Sequence, residues 1–316
     1  MPRILEILTQ SNVDIDGSQL LGGGNTAVTG LAAPSSWRPW NGFDYATLTA
    51  IFQEELEKEY RFEAKPAPLV QDLRIFNEDT LDDILRRFEV AVVNYCLVEQ
   101  TGSPHFGRGT RCESNKYKPD WSTVSHSYMV SSNRFDNLLP GDTKVSSKWR
   151  PEMKNEGNGV EWRKVMSQIM TYMAYYRSRY GFIITDKCLV ALRITRKPTG
   201  SGIARTRTQR STAVPVRYPN EPSTSKGDPT YKDDNPLGWE YELPEYAIVP
   251  WSAKGPGRLT VKLALWFLGM MATNGDRYLD YSYPDLNSWR SERGGYTHNT
   301  SGVKKPQLSN GDKRQD

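Results

Sequence analysis

The chain has 316 residues, 37% of them hydrophobic, and a formal net charge of +4. This length suits one large domain or two small ones, and the mild positive charge permits a polyanionic partner without requiring one. No segment offers the roughly 20 consecutive apolar residues that a membrane helix needs, and the N-terminus lacks the apolar core of a signal peptide. We therefore expect an intracellular protein of the nucleus or cytoplasm, with no membrane partner.

Apolar residues are unevenly distributed, and this sets the predicted domain boundaries. Residues 1–43 have glycine and proline turns but little periodic apolar pattern, so most of this segment is predicted to be disordered, with Trp37 and Trp40 docking on the domain. Residues 44–275 have ordinary core composition and form the single predicted domain. Residues 276–316 are predicted to be a polar, flexible tail. Residues from about 196 to 235 are predicted to be a long basic excursion from the domain.

Two helices are predicted in the first third of the chain. Apolar residues recur at helical spacing over 45–60, where Asp44 is the predicted N-cap. They recur again over 81–99, where Thr80 is the predicted cap. A loop rich in glycine and serine follows over 101–114.

The middle of the chain predicts a β-hairpin and then the strongest helix. The two strands of the hairpin are predicted over 118–132 and 138–149. The helix runs from about 160 to 180 and ends with Gly181 as its C-terminal glycine.

The last predicted elements are three short strands and a buried helix. The strands cover 182–185, 188–194 and 246–251, and the helix covers 259–271. Helices and strands thus alternate in groups along the chain. This order predicts an α/β or α+β fold and argues against a helix bundle.

A carboxylate pair and a lysine are the first candidate functional residues. Asp120 follows a proline, a dipeptide that is most often a turn. Asp142 and Lys144 are two apart on a predicted strand, so they share one face while Thr143 points away. A plain surface ion pair is the alternative. Because adjacent strands lie about 4.8 Å apart, an aspartate on each can share one cation, with Lys144 next to a scissile phosphate.

Gln168 and Tyr172 are the second candidate pair. They are four residues apart and therefore share one face of the long helix. They can be ordinary polar residues of a half-exposed helix. As functional residues, an amide and a phenol facing the carboxylates would position a nucleic-acid backbone.

The order of these motifs resembles a known family. Pro119-Asp120, Asp142-x-Lys144 and Gln168-x-x-x-Tyr172 resemble the three motifs of the PD-(D/E)XK nuclease superfamily, the last in its RecB-like form. The nearest resemblance is to the PD-(D/E)XK nuclease-like domain of many fungal proteins, over roughly residues 81–194. It implies a restriction-endonuclease-like core, with a mixed central β-sheet flanked by helices, and hydrolysis of phosphodiester bonds with Mg²⁺ or Mn²⁺.

The resemblance also implies roles for individual residues. Asp120 and Asp142 would be metal ligands, with Lys144 as the catalytic lysine and Gln168 and Tyr172 handling the phosphate. Glu89 matches an acidic residue that many members place on the preceding helix, although a surface glutamate is the alternative. Position 142 is aspartate where many members have glutamate, which shortens the reach of the ligand. A catalytically inactive scaffold that binds nucleic acid or protein therefore stays open.

A basic stretch after the long helix is the predicted nucleic-acid contact. The residues assigned to it are Arg177, Arg179, Arg196, Lys197, Arg205, Arg207 and Arg210. They would neutralise phosphates along a strand, beside the mouth of the Asp120/Asp142 site. A solvated flexible loop is the alternative. DNA is favoured over RNA as the substrate, and the oligomeric state is left open.

Other kinds of chemistry lack motifs in this chain. His105, His126 and His298 do not have zinc-ligand spacing, and the three cysteines have no metal-type spacing. A Gly-x-Ser-x-Gly motif is absent from the sequence, and the Gly22–Gly24 run lacks the lysine that a phosphate loop requires.

Overall fold

The computed structural model describes residues 1–27, 30–31, 33–62, 68–112, 116–131, 134–157, 159–197, 235–292 and 294–315. Most of the predicted basic excursion, including Arg205, Arg207 and Arg210, lies outside the described residues.

A mixed β-sheet lies at the centre of the fold. The strands are β1 (Arg38–Pro39), β2 (His105–Arg108), β3 (Trp121–Val124), β4 (Met129–Ser131), β5 (Arg134–Phe135), β6 (Gly141–Thr143), β7 (Tyr180–Ile184), β8 (Cys188–Arg193), β9 (Glu245–Pro250), β10 (Trp289–Glu292), β11 (Gly295–His298) and β12 (Lys304–Lys305). Seven of them form one sheet in the order β1-β9-β8-β7-β6-β3-β2. Since β6 runs parallel to β7 and antiparallel to β3, the sheet is mixed, as predicted.

The helices pack on both faces of this sheet. They are α1 (Ile4–Leu8), α2 (Tyr45–Ile51), α3 (Gln53–Leu56), α4 (Glu78–Ile84), α5 (Val90–Leu97), α6 (Gly159–Tyr175) and α7 (Val261–Asn274). A π-helical turn over Leu85–Glu89 joins α4 to α5. The α/β fold class is therefore confirmed. None of the described helices has the length and apolar character needed to cross a bilayer.

Alternation along β7 and β8 separates two hydrophobic cores. Phe182 and Leu189 point toward α5 and α7, while Ile183 and Val190 point toward α6. The helix α7 is buried along nearly its whole length, and its apolar residues belong to the first of these cores. The face of the sheet that carries Ile183 is therefore the face that looks at α6.

Helix boundaries differ from the prediction where side chains redirect the chain. The predicted helix over 45–60 begins after the Asp44 cap as expected, but it is interrupted at Phe52 between α2 and α3. The next helix starts before Thr80. Its N-cap is Asn77, whose side chain accepts a 2.9 Å hydrogen bond from the Thr80 backbone N–H.

The end of α6 also differs from the prediction. Gly181 lies inside β7, where an added Cβ would sit 2.6 Å from Met173 Sδ, so its role is to allow close packing of α6 on the sheet. Arg177 ends the helix instead, with a positive φ of 51°. The adjacent Ser178 N–H donates back to the Met173 carbonyl.

Both chain ends are more ordered than predicted. Ile4 and Leu8 of α1 are buried, whereas the stacking of Trp37 on Tyr246, at 4.0 Å between ring centroids, is the docking that was expected. At the other end, β10, β11 and β12 form a three-stranded sheet in place of the predicted flexible tail. The buried polar residues of that sheet, His298 among them, are held by hydrogen bonds that a hydrophobicity pattern does not reveal.

The predicted hairpin strands are shorter than expected. The segment over 118–132 is divided into β3 and β4 by a 3₁₀ turn at His126–Tyr128, and only β6 forms within 138–149. The antiparallel pairing of β3 with β6 is present nevertheless, through Trp121 and Gly141.

Candidate functional site

Asp120 and Asp142 lie next to each other on neighbouring strands. The antiparallel register that pairs Trp121 with Gly141 sets Asp120, just before β3, beside Asp142 of β6. The parallel register on the other side pairs Asp142 with Ile183, whose side chain points toward α6. Both aspartates therefore face α6, as two ligands of one cation would have to.

The surroundings of Asp120 act on its ionisation. The residue as a whole is exposed, but its carboxyl group turns inward, where Oδ2 accepts a 2.9 Å hydrogen bond from the Thr143 backbone N–H. Burial of the carboxyl group and then the negative charge of Asp142 raise the pKa of Asp120 to about 7. Lys144 and the Thr143 N–H oppose this rise.

Asp142 is a buried carboxylate with little hydrogen bonding. It is 1% exposed, and Oδ2 forms an ion pair with Lys144 Nζ. Among the described residues, no donor has hydrogen-bond geometry to either carboxylate oxygen. Because a buried charge of this kind is costly unless it is satisfied, the oxygens are suited to binding a cation.

Lys144 follows β6 and lies on the same face as Asp142. Its backbone N–H donates to the Ile184 carbonyl, and its Nζ donates a 3.1 Å hydrogen bond to the Thr143 carbonyl. Burial alone would lower the pKa of Lys144, but the charges of Asp142, Asp120 and Glu78 outweigh burial and raise it. The side chain is therefore held as an ammonium ion against the two carboxyl groups.

Gln168 and Tyr172 complete the site from α6. Gln168 Nε2 donates a 2.9 Å hydrogen bond to the Tyr172 hydroxyl. Burial and then the charge of Asp142 raise the pKa of Tyr172 to about 12, so the phenol stays protonated. The structure thus brings together the five residues that the motifs single out as catalytic.

A second network holds the two strands from the opposite face of the sheet, and the motifs gave no sign of it. Thr143 Oγ1 donates to Asp82 Oδ1 at 2.5 Å and accepts from Trp121 Nε1 at 2.8 Å. Arg86 Nη2 donates a 2.5 Å hydrogen bond to Asp82 Oδ2 and a 3.2 Å hydrogen bond to the carbonyl oxygen of Asp120. Together these contacts fix the backbone that carries the two aspartates.

Glu89 does not join the site, which corrects the predicted metal ligand. It is 2% exposed, and both its oxygens are engaged elsewhere: Oε1 accepts from Val13 N–H at 2.7 Å, and Oε2 contacts Lys262 Nζ at 3.0 Å. Glu78 of α4 approaches the site instead, since its charge raises the pKa of Lys144. It also contacts Lys148 Nζ at 3.1 Å.

The predicted basic contacts separate into exposed and buried residues. Arg179 is fully buried and contacts Asp276 at 3.0 Å, so it is unavailable to a nucleic acid and that prediction is corrected. Arg177 and Lys197 are exposed, and Arg196 is half-buried.

Asp120 and Asp142 offer two carboxylate ligands to a hard divalent cation. Within the described parts of the chain, no group of three or more His, Cys, Asp or Glu side chains is arranged to hold a metal. Mg²⁺ nevertheless binds proteins through one or two carboxylates while keeping several waters. Two adjacent carboxyl groups meet that requirement, and one of them is buried with an oxygen, Asp142 Oδ1, that has no hydrogen-bond partner among the described residues.

Comparison with known proteins adds no relative. No family model, no curated protein and no solved structure matches this chain. The function must therefore be inferred from the sequence motifs and from the geometry of the site.

Proposed function

We propose that this protein is a metal-dependent nuclease that hydrolyses phosphodiester bonds, with DNA as the favoured substrate. One observation carries the proposal: Asp120, Asp142 and Lys144 meet on the face of the sheet that looks at Gln168 and Tyr172. Two carboxylates, an ammonium group and a phenol at one point suit a phosphoryl centre, where negative charge builds up during hydrolysis.

Each residue has a distinct part in the proposed reaction. Asp120 and Asp142 would hold Mg²⁺ or Mn²⁺, which would supply Lewis-acid stabilisation of the phosphate and activation of water. Lys144, which forms an ion pair with Asp142, would contribute a point charge to the phosphate oxygens. The Tyr172 hydroxyl stays protonated and donates a hydrogen bond to the phosphate. Gln168 orients this hydroxyl by donating a hydrogen bond to its oxygen.

The restriction-endonuclease-like core belongs to the same proposal. Three features support it: a mixed sheet flanked by helices, the central position of β6 and β7, and a helix that faces the carboxylates. The segments that resemble the PD-(D/E)XK motifs lie just before β3, at β6 and on α6, which is the order of strand, strand and helix that this fold would require.

A cleavage assay tests the proposal. End-labelled single- and double-stranded DNA and RNA are incubated with wild-type protein, with Mg²⁺ or Mn²⁺ and with EDTA. Wild type should cut only with the cation. Lys144→Ala and Asp142→Asn should each lower the rate by about 10²–10³-fold.

Lys187→Ala is the matched control for Lys144→Ala. Lys187 lies in the turn between β7 and β8, its side chain is 67% exposed, and its contact with Asp186 is a long 3.8 Å. This variant should cut like wild type. Cleavage that survives EDTA, or that persists in Asp142→Asn, would disprove the proposal.

A catalytically inactive binding module is the second candidate. It is favoured by the direct ion pair between Lys144 and Asp142 and by the small number of carboxylates at the site. It predicts salt-sensitive nucleic-acid binding without cleavage under either cation.

A further inference from the structure

The strand β9 has an outer edge that β1 covers only in part. β1 pairs with Glu245 and Tyr246, and the Trp40 N–H then donates to the Tyr246 carbonyl at 2.7 Å. Because successive residues of a strand direct their N–H and C=O groups to opposite sides, those of Ile248 point to this same outer side. Among the described residues, no group bonds to them, and the Ile248 side chain is 41% exposed. The outer edge of β9 therefore offers one donor and one acceptor to a partner.

The loop that joins β9 to α7 turns back beside this edge and is held in place by the N-terminal segment. The Gly255 N–H donates to the Thr9 carbonyl at 2.8 Å. Trp251 Nε1 donates to the Val13 carbonyl at 2.9 Å. Gly255 and Gly257 have positive φ angles of 87° and 75°, which glycine adopts without strain and which let the loop turn sharply. The loop thus presents its side chains from a fixed backbone.

The edge of β9 and this loop form a groove of about 430 Å³. That volume is in the range of ligand-binding clefts, about 300–1,000 Å³. The lining of this β9-edge groove is mostly apolar but carries two cations, and it includes Ile248, Val249, Pro250, Lys254, Arg258 and Leu259. An apolar groove beside open backbone groups suits an extended peptide, whose main chain can pair with the strand while its side chains fill the groove.

The two cations of the groove are not neutralised by neighbouring residues. Lys254 and Arg258 are exposed, and neither forms an ion pair or a side-chain hydrogen bond within the described parts of the chain. The helix α7 begins just after Arg258, at the Thr260 cap, and its first turn holds no acidic residue. Because the N-terminus of a helix is itself partially positive, a cation beside it is unfavourable unless an anion is also present. The charge of the groove therefore favours an acidic occupant.

Protection of the sheet edge is the alternative role for these residues, because proline and charged side chains discourage unwanted strand pairing. Pro250 and the two cations do discourage pairing with a second copy of this chain, which would bring the same positive charges to the interface. They do not exclude a strand of opposite charge. A nucleic acid would match the charges but would leave the peptide groups of Ile248 without a strand to pair with.

We propose that the β9-edge groove binds an extended acidic segment of a partner protein as an added strand. The segment bonds to the N–H and C=O of Ile248, its apolar side chains lie in the groove, and its carboxylates approach Lys254 and Arg258. Backbone bonds supply affinity in this mode of binding, and the side chains supply specificity. The groove shares no residue with the Asp120/Asp142 site, so the proposal holds whether or not the protein is a nuclease.

Fluorescence anisotropy with labelled peptides tests the groove. The probe has about eight residues and alternates glutamate with valine. One control peptide alternates lysine with valine, and the other is the acidic peptide methylated at every backbone nitrogen, which keeps the charges but cannot donate to a strand. Wild type should bind the acidic peptide and neither control. Hydrogen exchange should show the Ile248 amide gaining protection when the acidic peptide binds.

Charge reversal in the loop separates binding from folding. Lys254→Glu and Arg258→Glu should each weaken binding of the acidic peptide at least about fivefold, because each replaces an attraction by a repulsion. Both side chains are exposed, so the two variants should melt like wild type. Lys313→Glu makes the same change of charge at an exposed position near the C-terminus and should bind like wild type.

Ile248→Pro tests the strand pairing itself. Proline removes the outward N–H and is tolerated on a sheet edge, so binding should weaken at least about fivefold while the bonds between β8 and β9 remain. No binding of the acidic peptide, unchanged binding in the loop variants, or equal binding of the methylated peptide would overturn the proposal. An oligothymidylate of about 16 nucleotides that binds wild type and loses affinity in Lys254→Glu would assign the groove to nucleic acid and overturn it as well.

Discussion

The backbone N–H of Thr143 donates a 2.9 Å hydrogen bond to Oδ2 of Asp120, so the strand that carries Asp142 also holds the carboxyl group of the other aspartate. The side chain of Thr143 points the other way and bonds Asp82 and Trp121. One residue therefore links the candidate site on one face of the sheet to a supporting network on the other.

We predict that Gly109→Ala will damage the candidate site from outside it. The Gly109 N–H donates to the Asp120 carbonyl at 3.1 Å, and an added Cβ would lie 1.8 Å from the Pro119 carbonyl oxygen. Because backbone atoms cannot yield as a flexible side chain does, the Pro119–Asp120 segment must move. A displacement of about 1 Å at a catalytic group can cost about 10²-fold in rate. The measurement is kcat/KM for metal-dependent cleavage.

Gly157→Ala is the control for this prediction. An added Cβ at Gly157 meets no atom of the described residues within 4 Å, so activity and stability should match those of wild type. Wild-type activity in Gly109→Ala would show that Asp120 is not held by this contact.

The hydroxyl of Thr143 should matter for stability. Thr143→Val removes the partner of Trp121 Nε1, which belongs to a fully buried side chain, and the donor to Asp82. A buried donor left without an acceptor costs about 1–3 kcal/mol, so the free energy of unfolding should fall by that amount in urea denaturation. Thr143→Ser keeps the hydroxyl and should recover most of the loss. Equal stability of the valine and serine variants would contradict the prediction.

Local sequence patterns were sufficient for the elements that bury apolar residues. The β7–β8 hairpin, β9 and α7 are confirmed within a few residues because their apolar runs are uninterrupted. The alternation of Asp142, Thr143 and Lys144 was also readable, since a strand has a period of two.

Contacts between residues far apart in the sequence could not be predicted from local patterns. Glu89 and Asp82 lie seven residues apart on one helical segment, yet one pairs with Lys262 in the core and the other supports Thr143 at the site. Only the fold decides between them. The strands β10–β12 were missed because their buried residues include polar groups satisfied by hydrogen bonds, such as His298.

We predict that Glu89 serves stability and not catalysis. Glu89 and Lys262 are 2% and 4% exposed and form an ion pair at 3.0 Å. Glu89→Gln leaves the ammonium group buried without a counter-charge, which should cost about 3–5 kcal/mol in urea denaturation. The rate of cleavage per folded molecule should be unchanged. The double variant Glu89→Leu with Lys262→Met should recover much of the stability, because no charge then remains buried.

A folded Glu89→Gln protein that has lost metal-dependent cleavage would contradict this assignment. Glu78→Gln is the matched comparison, since Glu78 influences Lys144. That variant should alter cleavage with little effect on stability.

The C-terminal sheet should loosen in mild acid through His298. This histidine is 4% exposed, and burial lowers its pKa to about 4, although Asp312 opposes the shift and Lys305 supports it. Nδ1 accepts hydrogen bonds from the N–H groups of Thr300 and Ser301, so a proton cannot be added there without breaking them. Between a pH of about 6.5 and about 4 the unfolded chain therefore binds the proton more strongly than the folded one.

It follows that stability falls as the pH drops through this range, by up to about 3 kcal/mol at its lower end. Hydrogen exchange measured by mass spectrometry should show β10 and β11 losing protection near pH 4.5, after correction for the intrinsic rate of exchange. In His298→Gln the side-chain carbonyl can accept a bond in place of Nδ1 and does not titrate, so the loss should be much smaller. His126→Gln, at an exposed position, should behave like wild type. Equal protection of the two strands at neutral and acidic pH in the wild-type protein would show that His298 does not hold this sheet together.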